Sequence, residues 1–258
     1  MLLDDKIKKC ELEYTKVFCT MYEKKNVIRF RDDYLKDMYY HNYTYLNNDI
    51  TPYELKPIID EEILFRKEER CNYCNFIMDL TIDSSMENLL EIKPSISRNG
   101  YYLFDVASFE ALKDRKDCII KKVINQPLVE DNLFCDLQHD EEALGRDFCE
   151  RRDYRRGKIY VSAEGVNSYN CYHDGTIVGK CDMFIHDGVA KIEDFAVIPI
   201  YQRKGYGTTI LKYLINVAIE AQCHTIYLVA DEEDTPKEMY LRIGFTKVGD
   251  RTDLLFRF

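Results

Sequence analysis

Residues 191–207 read Lys-Ile-Glu-Asp-Phe-Ala-Val-Ile-Pro-Ile-Tyr-Gln-Arg-Lys-Gly-Tyr-Gly, and they constrain the chain more than any other stretch. An extended, mostly apolar run stops at Pro199. A polar loop then carries Gln202, Arg203 and Lys204, and Gly205 and Gly207 open an apolar-periodic segment over residues 208–222. That order describes a strand feeding a loop and then a helix. Glycines let the backbone approach a ligand, and a helix start offers free N–H groups and a partial positive charge, a combination suited to a diphosphate. Arg203 and Lys204 add cationic side chains there, in a chain whose net charge is −10.

The flanking elements are consistent with that reading. His-Asp-Gly occurs at 173–175 and again at 186–188, and Asp-Gly between extended runs specifies a hairpin. Strands near 168–173, 176–186 and 189–198 should therefore form an antiparallel meander ending at the glycine loop. Ile210, Leu211, Leu214, Ile215, Ala218 and Ile219 make one helix stripe. Residues 226–229 read as a buried strand, parallel to the last meander strand because a helix crosses between them. Thr235-Pro236-Lys237-Glu238 reads as a capping box with proline at the first helical position, and Gly244 closes that helix.

These residues resemble the acetyl-CoA signature of the GNAT superfamily of N-acetyltransferases, in which a strand ends Val-x-Pro and a Gln-x-x-Gly-x-Gly loop follows. Val197, Pro199, Gln202, Gly205 and Gly207 match each position. The segment Met239-Tyr240-Leu241-Arg242-Ile243-Gly244-Phe245 is similar to the family's Tyr-x-x-x-Gly-Phe helix end. The resemblance covers residues 117–258 and implies an α/β fold of the α+β type: a mixed, mainly antiparallel sheet flanked by helices. It implies acetyl-CoA as co-substrate, with Phe195, Ala196 and Val197 offering backbone groups to the pantetheine arm. Residues Arg203, Lys204, Gly205, Tyr206, Gly207 and Thr208, with Gln202, would cradle the pyrophosphate. Tyr240 becomes the acid for the departing thiolate. Glu193 becomes the base, with Asp194 open as an alternative, and either could instead attract a cationic substrate. The implied reaction is direct acetyl transfer to a primary amine on a small molecule or a protein; a silent acetyl-CoA-binding or protein-interaction module is the other reading.

The first 116 residues are built differently, since of 11 glycines only Gly100 precedes residue 145. Helical patterning covers 3–20 and 52–70, a strand is expected over 75–82, a short helix over 84–90, and a hairpin around Asn99-Gly100. That order resembles the order at the carboxyl end and suggests a degenerate GNAT-like domain, 1–116, in tandem with a working one, 117–258. An unrelated helical cap is the alternative. Having no second glycine loop, the first half is expected to shape the acceptor pocket or a homodimer interface.

Other chemistry is not signalled. Acidity argues against nucleic acid or an anionic membrane as partner and suits a cationic amine. The charged amino terminus and the lack of an apolar run near ~18 residues suggest a cytoplasmic chain with its 10 cysteines reduced. Cys71-Asn-Tyr-Cys74 has no matching second pair, and Cys171, His173, Cys181 and His186 lie on strands expected to diverge, so no metal is anticipated. Arg146, Arg151, Arg152, Arg155 and Arg156 read as a solvated helix face, or as a few cations reaching a coenzyme phosphate. Residues 158–163 read as a strand.

Overall fold

The computed structural model describes residues 3–24, 27–46, 50–79, 82, 90–162, 165–233 and 236–258. In chain order the elements are α1 (Asp5–Lys16), β1 (Thr20–Lys24), β2 (Val27–Arg31), β3 (Tyr43–Leu46), α2 (Pro52–Glu68), β4 (Tyr73–Met78), β5 (Ser95–Phe104) and β6 (Cys118–Lys122). They continue with α3 (Gln126–Leu144), α4 (Arg146–Ser162), β7 (Val166–His173), β8 (Thr176–His186), β9 (Val189–Val197), α5 (Tyr206–Glu220), β10 (Thr225–Asp231), α6 (Pro236–Arg242) and β11 (Phe245–Arg257).

Local rules account for many of the boundaries. The Asp4 carboxylate caps α1 by accepting from Lys6 N at 2.8 Å, and Asn125 caps α3 by accepting from Leu128 N at 3.2 Å. The Thr51 N–H donates to Glu54 Oε2 at 2.9 Å, the return half of a capping box at the start of α2. Asp174-Gly175 and Asp187-Gly188 each place two successive residues at positive φ, 48° and 77° then 47° and 74°. This is the type I′ geometry that closes a two-residue hairpin, and the meander β7-β8-β9 follows from it. The expected helix over 84–90 lies, Leu90 apart, outside the described residues, as does Thr235 of the expected capping box.

The eleven strands among the described residues join one sheet in the order β1-β2-β3-β4-β11-β5-β10-β9-β8-β7-β6. The order repeats from either side of its centre. Antiparallel β2-β3 leads through α2 to β4, parallel to β3; antiparallel β8-β9 leads through α5 to β10, parallel to β9. The strands β5 and β11 are exchanged: β5 lies against β10, β11 lies against β4, and the two pair with each other. This is the tandem order that the sequence suggests. The exchange pairs strand edges that would otherwise lie open and makes the sheet continuous.

The main core lies between α5 and the sheet, where Ile210, Leu211, Leu214, Ile215 and Ala218 pack with Val178, Met183, Ile192, Ile226 and Leu228. A second cluster under α1 joins Ile7, Cys10 and Phe18 to Tyr101, Phe184, Val189 and Tyr227.

Two expectations are corrected. Asn99-Gly100 is no hairpin but the middle of β5, with Gly100 opposite Ala230 on one side and Asp250 on the other. A Cβ there would fall 2.2 Å from Glu232 Oε1 and 2.8 Å from Tyr102 Cε2, so the glycine serves close packing inside a doubly paired strand. Residues 158–162 are not a strand but the end of α4, because Ile159 and Tyr160 extend a buried helical stripe begun by Cys149, Arg152, Asp153 and Arg156.

Candidate active site

The site is made by two parallel strands that part company. Strands β9 and β10 pair from Val189 opposite Thr225 up to Ile192 opposite Leu228. Beyond Ile192 the ladder between them stops, and the β10-facing edge of β9 continues without a strand beside it. A cleft of about 260 Å³ opens there, lined by Ile192 to Phe195 of β9, Leu228 to Asp231 of β10, and Tyr240 of α6.

A bulge in β9 accompanies the parting. Its pairing with β8 slips between Asp182 opposite Glu193 and Lys180 opposite Ala196, and Asp194 takes φ 51°. A left-handed backbone is unfavourable for a residue with a Cβ and persists only where its surroundings hold it. Here Arg156 Nη1 donates to Asp194 Oδ2 at 2.7 Å, and Lys180 Nζ donates to the same oxygen. Lys180 is fully buried and also pairs with Asp136 at 2.5 Å. Arg156 lies 3.4 Å from Asp182 Oδ2, which accepts from the Tyr160 hydroxyl at 2.6 Å.

Burial raises carboxyl pKa values in this network, and the cations decide which groups stay ionised. Burial alone would raise Asp194, but Arg156, Lys180 and Arg152 outweigh it and hold that carboxyl well below the usual range. Asp182 is pushed up to about 6 by burial despite Arg156. Asp153, buried beside Asp136, is pushed up to about 8. The reading of a solvated arginine face is therefore corrected for Arg152 and Arg156, which are 6% and 5% exposed inside the network. Neither reaches toward the glycine loop.

Glu193 has different neighbours. Its Oε2 accepts from Lys191 Nζ at 2.9 Å, and Lys191, itself buried, donates to Glu11 Oε1 at 2.7 Å. The Glu193 side chain remains about one-third exposed at 34% and lines the cleft. The two acidic side chains thus differ through the bulge as well as through strand alternation: Asp194 is tied to buried cations, and Glu193 is reachable from solvent.

Tyr240 is 7% exposed, with its ring centroid 6.3 Å from that of Phe195 and 5.9 Å from that of Phe245. Phe195 and Val197 pack on the core under α5, whereas Ala196 packs on the opposite face beside Cys135 and Tyr172.

The glycine loop follows. Gln202 Nε2 donates to Val197 O at 3.0 Å and ties the loop back to β9. Gly205, at φ 88°, is the residue before α5, and the Thr209 N–H donates to its carbonyl at 3.1 Å. Helix geometry leaves the N–H groups of Tyr206, Gly207 and Thr208 at the helix mouth without intrahelical acceptors. A Cβ on Gly207 would meet Phe195 Cζ at 3.1 Å, so glycine lets the helix start sit against the cleft wall. The Arg203, Lys204 and Gly205 positions are exposed. Arg115, which the sequence offered no reason to single out, completes the loop: Nη1 donates to Lys204 O at 3.1 Å and the guanidinium lies 4.5 Å over the Tyr206 ring.

The structure thus gathers Glu193, Phe195 and Tyr240 around one cleft, and Gln202 to Thr208 at the end of the strand that forms its wall. Lys180 and Asp136 were not foreseen, and Arg156 was expected in another role, since their partners are remote in sequence.

Comparison with known proteins agrees with this geometry. Residues 128–245 match the model of the Acetyltransferase (GNAT) family. The chain is 25% identical over 244 residues to the uncharacterized N-acetyltransferase CgeE of Bacillus subtilis (strain 168), covering 89% of this chain and 88% of that one. A functionally unknown conserved protein from Staphylococcus epidermidis ATCC 12228 shares the fold with a TM-score of 0.78 at 21% identity, covering 93% of this chain and 95% of that one. A tandem GNAT protein from the clavulanic acid biosynthesis pathway superposes with a TM-score of 0.60 at 10% identity, covering 90% of this chain and 78% of its own. No helix among the described residues is long and apolar enough to cross a membrane.

Proposed function

Residues 128–245 are a domain of the acetyltransferase (GNAT) family and the chain is an N-acetyltransferase; on that premise we propose that it moves an acetyl group from acetyl-CoA directly to a primary amine on a small cationic acceptor. The observation that carries this reading is the open edge of β9, which runs past Tyr240 and on into the glycine loop.

The residues present fit the co-substrate. The helix mouth at Tyr206, Gly207 and Thr208, with Arg203 and Lys204 beside it, suits the pyrophosphate. The open edge at Phe195, Ala196 and Val197 suits an amide-bearing arm, which could pair with it as an added strand does. Acetyl-CoA supplies an activated thioester; the protein supplies position, a proton and a place for charge. A free backbone N–H on that edge would receive the thioester oxygen as it becomes negative, and one such donor is typically worth ~3–4 kcal/mol.

Glu193 and Tyr240 divide the proton work. An alkyl amine of pKa ~10 is neutral about once in a thousand molecules at pH 7, so removal of its proton matters. Glu193 is the base because it is exposed to the cleft, whereas Asp194 is held anionic by Lys180 and Arg156. Tyr240 protonates the leaving thiolate. Glu193 and Asp231 make the cleft rim acidic, which favours a cationic acceptor. Residues 1–116 act as the half that shapes the acceptor side, and residues 117–258 as the catalytic half.

Calorimetric titration with acetyl-CoA tests the reading, beside the double variant Gly205→Glu/Gly207→Glu checked to be folded. One equivalent bound by wild type and none by the variant is expected, followed by thiol release on adding amines. Binding without turnover on any amine would leave a silent binding module, and absence of binding would remove the transferase reading.

A further inference from the structure

The outer edge of the sheet carries side chains that acetyl transfer does not use. The β6–β7 ladder sets Cys118 opposite His173 and Ile120 opposite Cys171. Opposed residues and their next-but-one neighbours share a sheet face, so Cys118, His173 and Cys171 lie together. Asp117 immediately precedes β6. Ligand atoms of Asp117, Cys118 and His173 all fall within 4.8 Å of one another.

The separations are close to those a metal requires. His173 Nδ1 lies 3.5 Å from Asp117 Oδ2 and 3.3 Å from the Asp117 carbonyl oxygen. Cys118 Sγ lies 3.9 Å from Asp117 Oδ1. Donors bound at ~2.0–2.3 Å around a tetrahedral ion stand roughly 3.3–3.8 Å apart, so small side-chain adjustments suffice. The other imidazole nitrogen, Nε2, is 3.5 Å from Asp174 Oδ2. A carboxylate on the far nitrogen is the usual support for a metal-binding histidine, because it orients the ring and raises its basicity.

We propose that Asp117, Cys118 and His173 form a zinc(II) site, with water completing the coordination. One thiolate, one imidazole and one carboxylate are zinc's preferred donor types, and the soft thiolate disfavours magnesium or calcium. Spacing alone could not reveal the set, because the cysteine and the histidine come from different strands with two helices between them.

The structure also shows what the ion must displace. Asp117 accepts from Arg115 Nε at 3.0 Å and Nη2 at 2.5 Å, and the same guanidinium reaches Lys204 O in the glycine loop. Zinc therefore competes with Arg115 for one carboxylate. The Cys171 thiol lies against that of Cys118, so a disulfide between them is the competing use of these thiols, and the test must separate the two.

The test uses the reduced full-length protein, titrated with Zn²⁺ against a chromogenic chelator and with Co²⁺ followed by absorption. One equivalent per chain is expected to outcompete the others, and cobalt should give a thiolate charge-transfer band. Cys118→Ser should abolish that band, and Cys118→Ser and His173→Gln should each weaken zinc by at least ~10-fold. Cys71→Ser/Cys74→Ser, which removes the competing thiol pair, should change neither. The proposal is overturned if wild type binds no zinc, if binding follows Cys71 and Cys74 instead of Cys118, or if non-reducing mass analysis finds Cys118 joined to Cys171. These readouts are independent of acetyl transfer, so either inference can fail without the other.

Discussion

Arg156 Nη1 donates to Asp194 Oδ2 at 2.7 Å, and Asp194 is the residue whose backbone turns left-handed where β9 leaves the β8 register. A buried cation on one helix thereby holds the bend that opens the site. Breaking a buried pair costs up to ~3–5 kcal/mol, and Lys180, which still reaches Asp194, offsets part of that loss. Arg156→Leu should lower unfolding stability by that order in urea titration. A change under ~1 kcal/mol would show that the pair does not hold the bulge.

The same network sets a dependence of stability on pH. Asp153 has a folded pKa of about 8, raised from 3.8 by burial and by Asp136. Between those values the folded state binds more protons than the unfolded state, so this group's contribution is full below about 4 and is lost as pH rises through 8. Asp182, raised to about 6, acts in the same direction over a narrower window. Asp194 has the opposite sign, since its folded pKa is depressed and its contribution fades only as pH falls in the acid range. Denaturation of wild type and Asp153→Asn across pH 5–8 should show a steeper decline for wild type. Parallel curves would contradict the assignment.

Tyr240 lies in the cleft wall against Phe195, and Tyr240→Phe keeps that packing while deleting the hydroxyl. Acetyl-CoA affinity should be retained and kcat should fall by ~10²-fold or more. Unchanged turnover on an amine that wild type acetylates would assign the proton to another donor.

Glu193→Gln removes the carboxylate proposed as the base but keeps the side chain's shape beside Lys191. We expect kcat/KM to fall by ~10²-fold with the fold intact. If the variant turns over as wild type does, proton removal runs through solvent instead.

The glycine loop, the two Asp-Gly turns, the α5 stripe and the Tyr240 helix end were legible because each obeys a rule acting over a few residues. A type I′ turn needs two residues tolerant of positive φ, and Asp174-Gly175 and Asp187-Gly188 supply them whatever the distant chain does. The apolar spacing in 210–219 sets which helix face is buried before any partner is known. Other features depend on encounters between remote segments. The place of β5 between β10 and β11 depends on strand edges more than a hundred residues away, and only there does Gly100 become a packing glycine. Arg152 and Arg156 carry the letters of a solvated surface and become buried because Asp136, Asp182 and Asp194 converge on them from α3, β8 and β9. Sequence alone determined the two Asp-Gly turns, the α5 stripe and the glycine loop that opens that helix, since those follow from backbone sterics and periodicity. Tertiary structure decided the strand exchange, the buried charges and the different surroundings of Glu193 and Asp194, because desolvation and pairing depend on which groups meet.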